Sequence, residues 1–273
     1  MYPGFEFKDT VVWITGASSG IGAEMARQLA AKGARLVLSA RSAEGLQAVR
    51  SELPGDPENY LALPLDIGQY QDIAGKVDQV TEKFGRIDLL FNNAGITQRS
   101  FCVDTPMDVY QHLMEVNVLG QIALTKAVLP VMQAQGSGHI AATASVAGKV
   151  GAPFRTGYCA TKHAVMGFFD ALRTEVDQLN IQVTTVVPGF IRTDIASRVA
   201  TAEGEGFSGD NSEIENGMPV EDCVRVIVEG FESGLPEIHV GAGPEMDFIA
   251  LRHTNPELLF KAAAEMAASS GDT

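Results

Sequence analysis

The stretch VVWITGASSGIGAEMARQLAAKG, residues 11–33, decides the fold. A short run rich in β-branched residues, Val11 to Thr15, enters TGASSGIG, and apolar residues at helical spacing then follow from Ile21 to Lys32. The run is continuously apolar rather than alternating, as in a strand covered by helices on both faces. Glycines at Gly16, Gly20 and Gly22 permit a tight turn and bring backbone N–H groups close to a pyrophosphate. The N-terminus of the following helix favours that charge further.

The same rhythm continues outward. Strands are predicted at Val11 to Thr15, Arg35 to Ala40, Tyr60 to Pro64, Ile87 to Asn92, His139 to Ala144, Gln182 to Val187 and Glu237 to Val240. Between them lie helical patterns at Ile21 to Lys32, Ala43 to Leu53, Tyr70 to Phe84, Met107 to Gln135, Thr156 to Leu179 and Val220 to Ser233. Strands alternating with helices give βαβ units, so an α/β fold is expected: one doubly wound parallel sheet of seven strands flanked by helices. Residues 1–273 are read as a single domain without repeats. Residues 193–217, rich in Gly, Ser, Asp and Glu, read either as a substrate lid or as a disordered loop. The tail, 243–273, carries Phe248, Leu251, Leu258, Leu259 and Phe260 at helical spacing, and would cap the core, line a pocket or meet another subunit.

Composition narrows the function. A chain of 273 residues with 45% hydrophobic content buries a large core. Its net charge of -14 and pI near 4.7 oppose nonspecific attraction to nucleic acid or anionic membrane. The opening residues lack a basic region followed by an apolar one, and no charge-free run has membrane-spanning length, so a soluble cytoplasmic protein is expected. Cys102, Cys159 and Cys223 form neither a disulfide framework nor a zinc spacing, and the five histidines make no HxxxH or HExxH arrangement, so no metal is expected. Cys159, beside Tyr158, is either a reactive thiol or a small packed residue.

Cofactor choice should be set after the second strand, where an acidic residue would bind the ribose hydroxyls of NAD. The sequence there is LVLSARS, residues 36–42: Ala40 offers no carboxylate, and Arg41 offers a guanidinium suited to a 2′-phosphate. NADP, as NADPH rather than NADH, is therefore expected, with Ser39 and Ser42 as supporting donors; the bland alternative makes Arg41 a solvated residue at a helix start. Tyr158 and Lys162, in YCATK, share one helix face a turn apart. A phenol is a weak base at its ordinary pKa of about 10. A neighbouring ammonium would bring it into range for acid/base work, although YxxxK alone also describes an ordinary surface pair. Ser145, after the fifth strand, can hydrogen-bond a reacting oxygen, and Asn117, in MEVNVLG, can distort its helix and hold a proton-relaying water.

The order of these motifs closely resembles the short-chain dehydrogenase/reductase family: TGASSGIG, then NNAG at Asn92 to Gly95, then Asn117, Ser145, Tyr158 and Lys162. Asp66 with Ile67 resembles the family's adenine-contacting pair, and PGFIRT, Pro188 to Thr193, resembles its nicotinamide-side loop. The resemblance implies a Rossmann-type fold and hydride transfer between nicotinamide and a carbonyl or alcohol. Tyr158 would exchange the proton, Lys162 would also bind the nicotinamide ribose, Ser145 would orient the substrate, and Asn117 would maintain the relay. The cofactor cleft would comprise Gly16, Ser18, Ser19, Gly20, Ile21, Gly22, Arg41, Asp66, Ile67, Asn93, Ala94, Gly95 and Val116, together with Tyr158, Lys162, Pro188, Gly189, Ile191 and Thr193. AATASVAG departs from the adjacent serines frequent in the family by placing Ala144 before Ser145. Stretches such as LVLSARS and GYCATKHAV are most similar to the dehydrogenase/reductase member 7 group.

Substrate selectivity should lie after the later strands. Ile96, Gln98, Val146, Ala147, Ala152, Phe154, Phe190 and the 193–217 loop are mostly apolar and favour a neutral hydrophobic ketone or aldehyde. Glu203, Glu205, Asp210, Glu213 and Glu215 would either discourage polyanions or form a solvated surface. The resemblance further implies a homodimer or homotetramer packed through 107–135 and 156–179. Two rivals stand beside the NADP(H)-dependent reductase: an NAD(H)-dependent alcohol or hydroxysteroid dehydrogenase, and a non-catalytic dinucleotide sensor.

Overall fold

The computed structural model describes residues 3–193, 199–201, 204–205 and 212–269. Strands β1 (Val11–Thr15), β2 (Arg35–Ser39), β3 (Tyr60–Ala62) and β4 (Leu89–Asn92) alternate with helices α1 (Gly20–Ala31), α2 (Ala43–Glu52) and α3 (Ile73–Phe84). A short strand β5 (Thr97–Gln98) precedes α4 (Met107–Met114), a π-helical segment (Glu115–Leu119) and α5 (Gly120–Gln135). Then come β6 (Gly138–Thr143), α6 (Thr156–Val176), β7 (Ile181–Pro188), β8 (Ile191–Arg192), β9 (Val199–Thr201) and β10 (Gly204–Glu205). The chain continues through α7 (Ser212–Glu215), β11 (Met218–Pro219), α8 (Val220–Glu232), β12 (Glu237–Val240), α9 (Asp247–Thr254) and α10 (Pro256–Ser269).

The main sheet is wholly parallel, in the order β12-β7-β6-β4-β1-β2-β3. This is the doubly wound Rossmann arrangement, with the order reversing between β1 and β4. Alternate residues of β1 feed separate cores: Val11 and Trp13 join one face, Val12 and Ile14 the other. All four are fully buried, which explains why the strand reads as continuously apolar. Burying each such side chain contributes on the order of 1.5–3 kcal/mol. No helix among the described residues is long and apolar enough to cross a membrane.

Two expectations are revised, and the tail takes one of the roles expected of it. The pattern at Met107 to Gln135 is not one helix: it widens into the π segment at Asn117, whose fully buried amide bonds outside the helix. The 193–217 stretch is not wholly irregular. β9 pairs with β5 and β10, while β11 pairs with β8; residues 194–198, 202–203 and 206–211, including Glu203 and Asp210, lie outside the described residues. The tail forms α9 and α10 and closes over one core, burying Leu259 while Leu258 and Phe260 stay exposed.

One buried group makes this sheet sensitive to acid. His139 on β6 packs edge-on against Phe231 with ring centres 5.3 Å apart, and its Nε2 bonds with Thr184 Oγ1 at 2.9 Å. Burial pulls its pKa down from 6.5 to about 3. The neutral ring's contribution is therefore complete above pH 6.5 and is lost as the pH falls towards 3. In urea titrations, His139→Phe should remove a pH dependence on the order of a few kcal/mol from that window. An unchanged slope would show that another group titrates there.

Candidate functional site

The sheet's carboxyl edge gathers the pieces. Gly16 follows β1 at φ 67° and Gly20 opens α1 at φ 54°, a left-handed region open chiefly to glycine. A Cβ on Gly22 would lie 2.4 Å from the Gly16 carbonyl oxygen, so the turn tolerates no side chain there. Ser19 is the N-cap of α1 but makes no side-chain cap, and the first turn holds no acid. Those uncapped N–H groups and the helix dipole suit an anion.

Asn93, just beyond β4, holds this turn in place. Its Nδ2 donates to Thr15 O at 3.0 Å and its Oδ1 accepts from Thr143 Oγ1 at 3.2 Å. Thr15 Oγ1 accepts from both Asn93 N and Ala94 N, each at 2.9 Å. Lys162 then donates from Nζ to Thr143 O at 2.7 Å, linking α6 to β6.

A cavity of about 290 Å³ runs from the glycine turn past Asn93, Ala94 and Gly95 to Ser145, Tyr158 and Lys162. Ser19, Gly20, Ile21, Pro188, Gly189, Ile191 and Thr193 also line it. Ser18, Arg41, Asp66, Ile67 and Val116 do not line it. Asp66 caps its own turn by accepting from Gly68 N at 3.0 Å, and Ile67 packs against Gly120. Arg41 is exposed and makes no hydrogen bond or ion pair among the described residues. Ser39 is 1% exposed and accepts from Trp13 Nε1 at 2.9 Å, so it is withdrawn from any ligand; Ser42 caps α2.

The acid/base residues differ in detail from expectation. Tyr158 is half-buried, and burial pushes its phenol above the usual range. The neighbouring Ser145 hydroxyl and the charge of Arg155 oppose that rise. The expected counter-charge is thus Arg155 rather than Lys162, because the Lys162 Nζ reaches past the ring, 5.6 Å from its centre, to the β6 carbonyl. Burial also pulls Lys162 down to about 8. The Asn117 amide bonds to protein partners at both ends. Nδ2 donates to Ile96 O and Thr161 Oγ1, and Oδ1 accepts from Ile96 N. Thr161 Oγ1 in turn donates to Tyr158 O, so Asn117 braces the helix that carries Tyr158.

Of the expected pocket residues, Ile96, Val146, Ala147, Ala152, Phe154 and Phe190 line the cavity. Gln98 is fully buried and instead pins the loop before α6, donating to Phe154 O and accepting from Gly157 N. Phe248, Leu259, Ala263 and Met266 bring the tail into the wall. The sequence reading missed Arg99, Arg155 and Glu245, which also line the cavity. A cation at the N-cap of α6 was the available signal for Arg155, since a helix N-terminus disfavours positive charge. Glu245 left none, because its bond from Phe190 N is made by long-range packing. Cys159 packs against the backbone, accepting from Ala152 N, and burial raises its thiol pKa. No cluster suited to a metal ion occurs among the described residues.

A family model described as short chain dehydrogenase matches residues 10–204. The chain is 39% identical over 247 residues to Dehydrogenase/reductase SDR family member 7 of Homo sapiens, covering 89% of this chain and 73% of that protein. It is 38% identical over 267 residues to Dehydrogenase/reductase SDR family member 7B of Bos taurus, covering 95% and 82%. A short chain dehydrogenase/reductase from Burkholderia phymatum, solved in complex with NAD, has a TM-score of 0.82 and 26% identity, covering 93% of this chain and 96% of that one.

Lys162 offers a direct test of the site's electrostatics. Its folded pKa near 8 lies below its ordinary 10.5, so its burial costs stability in full below pH 8, and that cost fades as the pH rises to 10.5. Urea unfolding should show Lys162→Met stabilised relative to the parent chain more at pH 7 than at pH 10, by on the order of 2–3 kcal/mol. An identical difference at both pH values would contradict the buried ammonium.

Proposed function

The chain belongs to the short-chain dehydrogenase family of oxidoreductases, and on that premise we propose that it interconverts a hydrophobic ketone or aldehyde and its alcohol with NADP(H). The observation that carries this reading is the convergence of Ser145 and Tyr158 on the cavity that begins at the glycine turn. The turn fits a dinucleotide because it has uncapped N–H groups, left-handed glycines and no room for a Cβ at Gly22. The glycine turn and Ser19 would hold the pyrophosphate, Asp66 and Ile67 the adenine, and Lys162 with the Pro188–Thr193 loop the nicotinamide side. When bound, the cofactor supplies or accepts the hydride at the substrate carbon.

The remaining chemistry belongs to the chain. A carbonyl oxygen in the cavity would accept from both Ser145 and Tyr158. Because burial keeps the phenol above its usual pKa, Tyr158 holds its proton through neutral pH and acts as the acid in carbonyl reduction. Alcohol oxidation needs the phenolate and gains as pH rises. The charge of Arg155 restrains that pKa, and Asn117 fixes the helix beneath it. The apolar wall of Phe154, Phe190 and Leu259 favours a hydrophobic substrate.

The NADP(H) preference rests on the exposed Arg41, unpaired among the described residues, and on the absence of a carboxylate at Ala40. NAD in the solved neighbour favours the alternative, an NAD(H)-dependent alcohol dehydrogenase. Assembly as a homodimer or homotetramer is part of the proposal, supported by exposed Met107, Met114 and Leu119 along the α4 to α5 stretch. A cytoplasmic setting is proposed too, consistent with three free cysteines.

Two measurements test this reading. With NADPH and a panel of hydrophobic ketones and aldehydes, Tyr158→Phe should lower turnover by about 10³-fold while leaving cofactor affinity nearly intact. Near-normal turnover in that variant would remove Tyr158 from the mechanism. Arg41→Ala should weaken NADPH binding by about tenfold or more and barely change NADH binding. Equal effects on the two cofactors would move the 2′-phosphate contact elsewhere.

A further inference from the structure

The loop leading into α6 is built at a cost. Phe154 adopts φ 61°, a left-handed conformation that bulky residues rarely take. Such strain persists only where the surroundings enforce it. Here they do: Phe154 O accepts from Ser100 N at 2.9 Å and from Gln98 Nε2 at 3.0 Å. The Phe101 ring closes edge-on over Phe154 at 4.8 Å. Both residues of β5 then grip the same loop, Gln98 through its side-chain amide and Thr97 by accepting from Arg155 Nη1 at 3.0 Å.

Arg155 is what this grip presents to the cavity, beside Tyr158. Its guanidinium carries five N–H donors, and the contact with Thr97 is its one hydrogen bond among the described residues. No described carboxylate lies within ion-pair distance of it, because Glu213 faces Arg99 at 3.7 Å. It also occupies the N-cap of α6, where the helix dipole opposes a cation. Among the described residues this half-buried guanidinium keeps no ion pair, and Glu213 attracts it only at longer range.

We propose that Arg155 is a specificity-determining residue that binds the carboxylate of an oxo acid, a substrate whose apolar chain carries both the reacting carbonyl and one carboxylate. This rests on the oxidoreductase reading above and narrows its substrate class. The planar guanidinium matches a carboxylate in a bidentate fork. Phe154, Phe190, Ile214 and Leu259 provide the apolar wall for the chain. Glu213 and Arg99 pair at 3.7 Å on the same wall, which leaves Arg155 to receive a single carboxylate.

The test compares medium-chain oxo acids with their methyl esters as substrates for NADPH-dependent reduction. The parent enzyme should favour the acid in kcat/KM by about tenfold or more, the worth of one charge-assisted bidentate contact. Arg155→Met should lose at least that factor on the acid relative to the ester, chiefly through KM, and Arg155→Lys should retain part of it. Thermal melts of both variants check that they fold. Ester turnover without preference for the acid would overturn this proposal alone. Equal losses on acid and ester, with an alkaline shift of the pH profile, would also overturn it and assign Arg155 to the Tyr158 phenol. Should neither compound be reduced, the oxidoreductase reading fails on this panel, and calorimetric titration with decanoate decides Arg155 separately. Binding abolished by Arg155→Met supports the carboxylate site, and absence of binding to the parent chain overturns it.

Discussion

Asn93 is the constraint on which the rest of the site depends. Its amide joins the carboxyl ends of β1 and β6 from its own position after β4, bonding Thr15 O on one side and Thr143 Oγ1 on the other. The two glycines beside it follow from that choice: a Cβ at Gly16 would approach Asn93 Nδ2 to 3.1 Å, and one at Gly22 to 2.8 Å. The phosphate-binding turn therefore owes its shape to tertiary hydrogen bonding as much as to its own flexibility. The same network passes through Thr143 to Lys162, so the glycine turn and the acid/base helix are registered against each other. Each buried bond contributes only about 1 kcal/mol, yet losing one leaves its partner unsatisfied, which costs more.

A second brace runs through Asn117. By bonding both backbone polar groups of Ile96 and reaching Thr161, it fixes the π segment between the strand β4 exit and the second turn of α6. The interruption of the helix is the geometric cost of aiming that amide inwards. Tyr158 is thus positioned from below, by Thr161, and from the side, by Ser145.

The charge distribution contrasts with the chain as a whole. A molecule with a net charge of -14 places Lys162 and Arg155 in the interior of its cavity, where burial lowers the pKa of each. Long-range attraction for anions is weak in such a protein, whereas short-range recognition by a desolvated guanidinium is strong. Selectivity then comes from what fits against the cation, more than from what the surface field draws in.

The residues after β1 determined the fold class, because a continuous apolar run entering a glycine-rich turn and an amphipathic helix has few physical solutions. The order of Asn117, Ser145, Tyr158 and Lys162 likewise made the chemistry legible, since YxxxK on a helix aligns its side chains by period alone. Direction and partner escaped that logic. Lys162 turned to Thr143 rather than the Tyr158 ring, Gln98 went into the core rather than the pocket wall, and Asn117 spent its amide on Ile96. Arg155 looked like any surface arginine, and only the hydrogen bonds of β5 and the left-handed Phe154 set it in the cavity. Periodicity fixes which face a residue takes on its own element; which distant group meets it there depends on how the elements pack, and that was decided only in three dimensions.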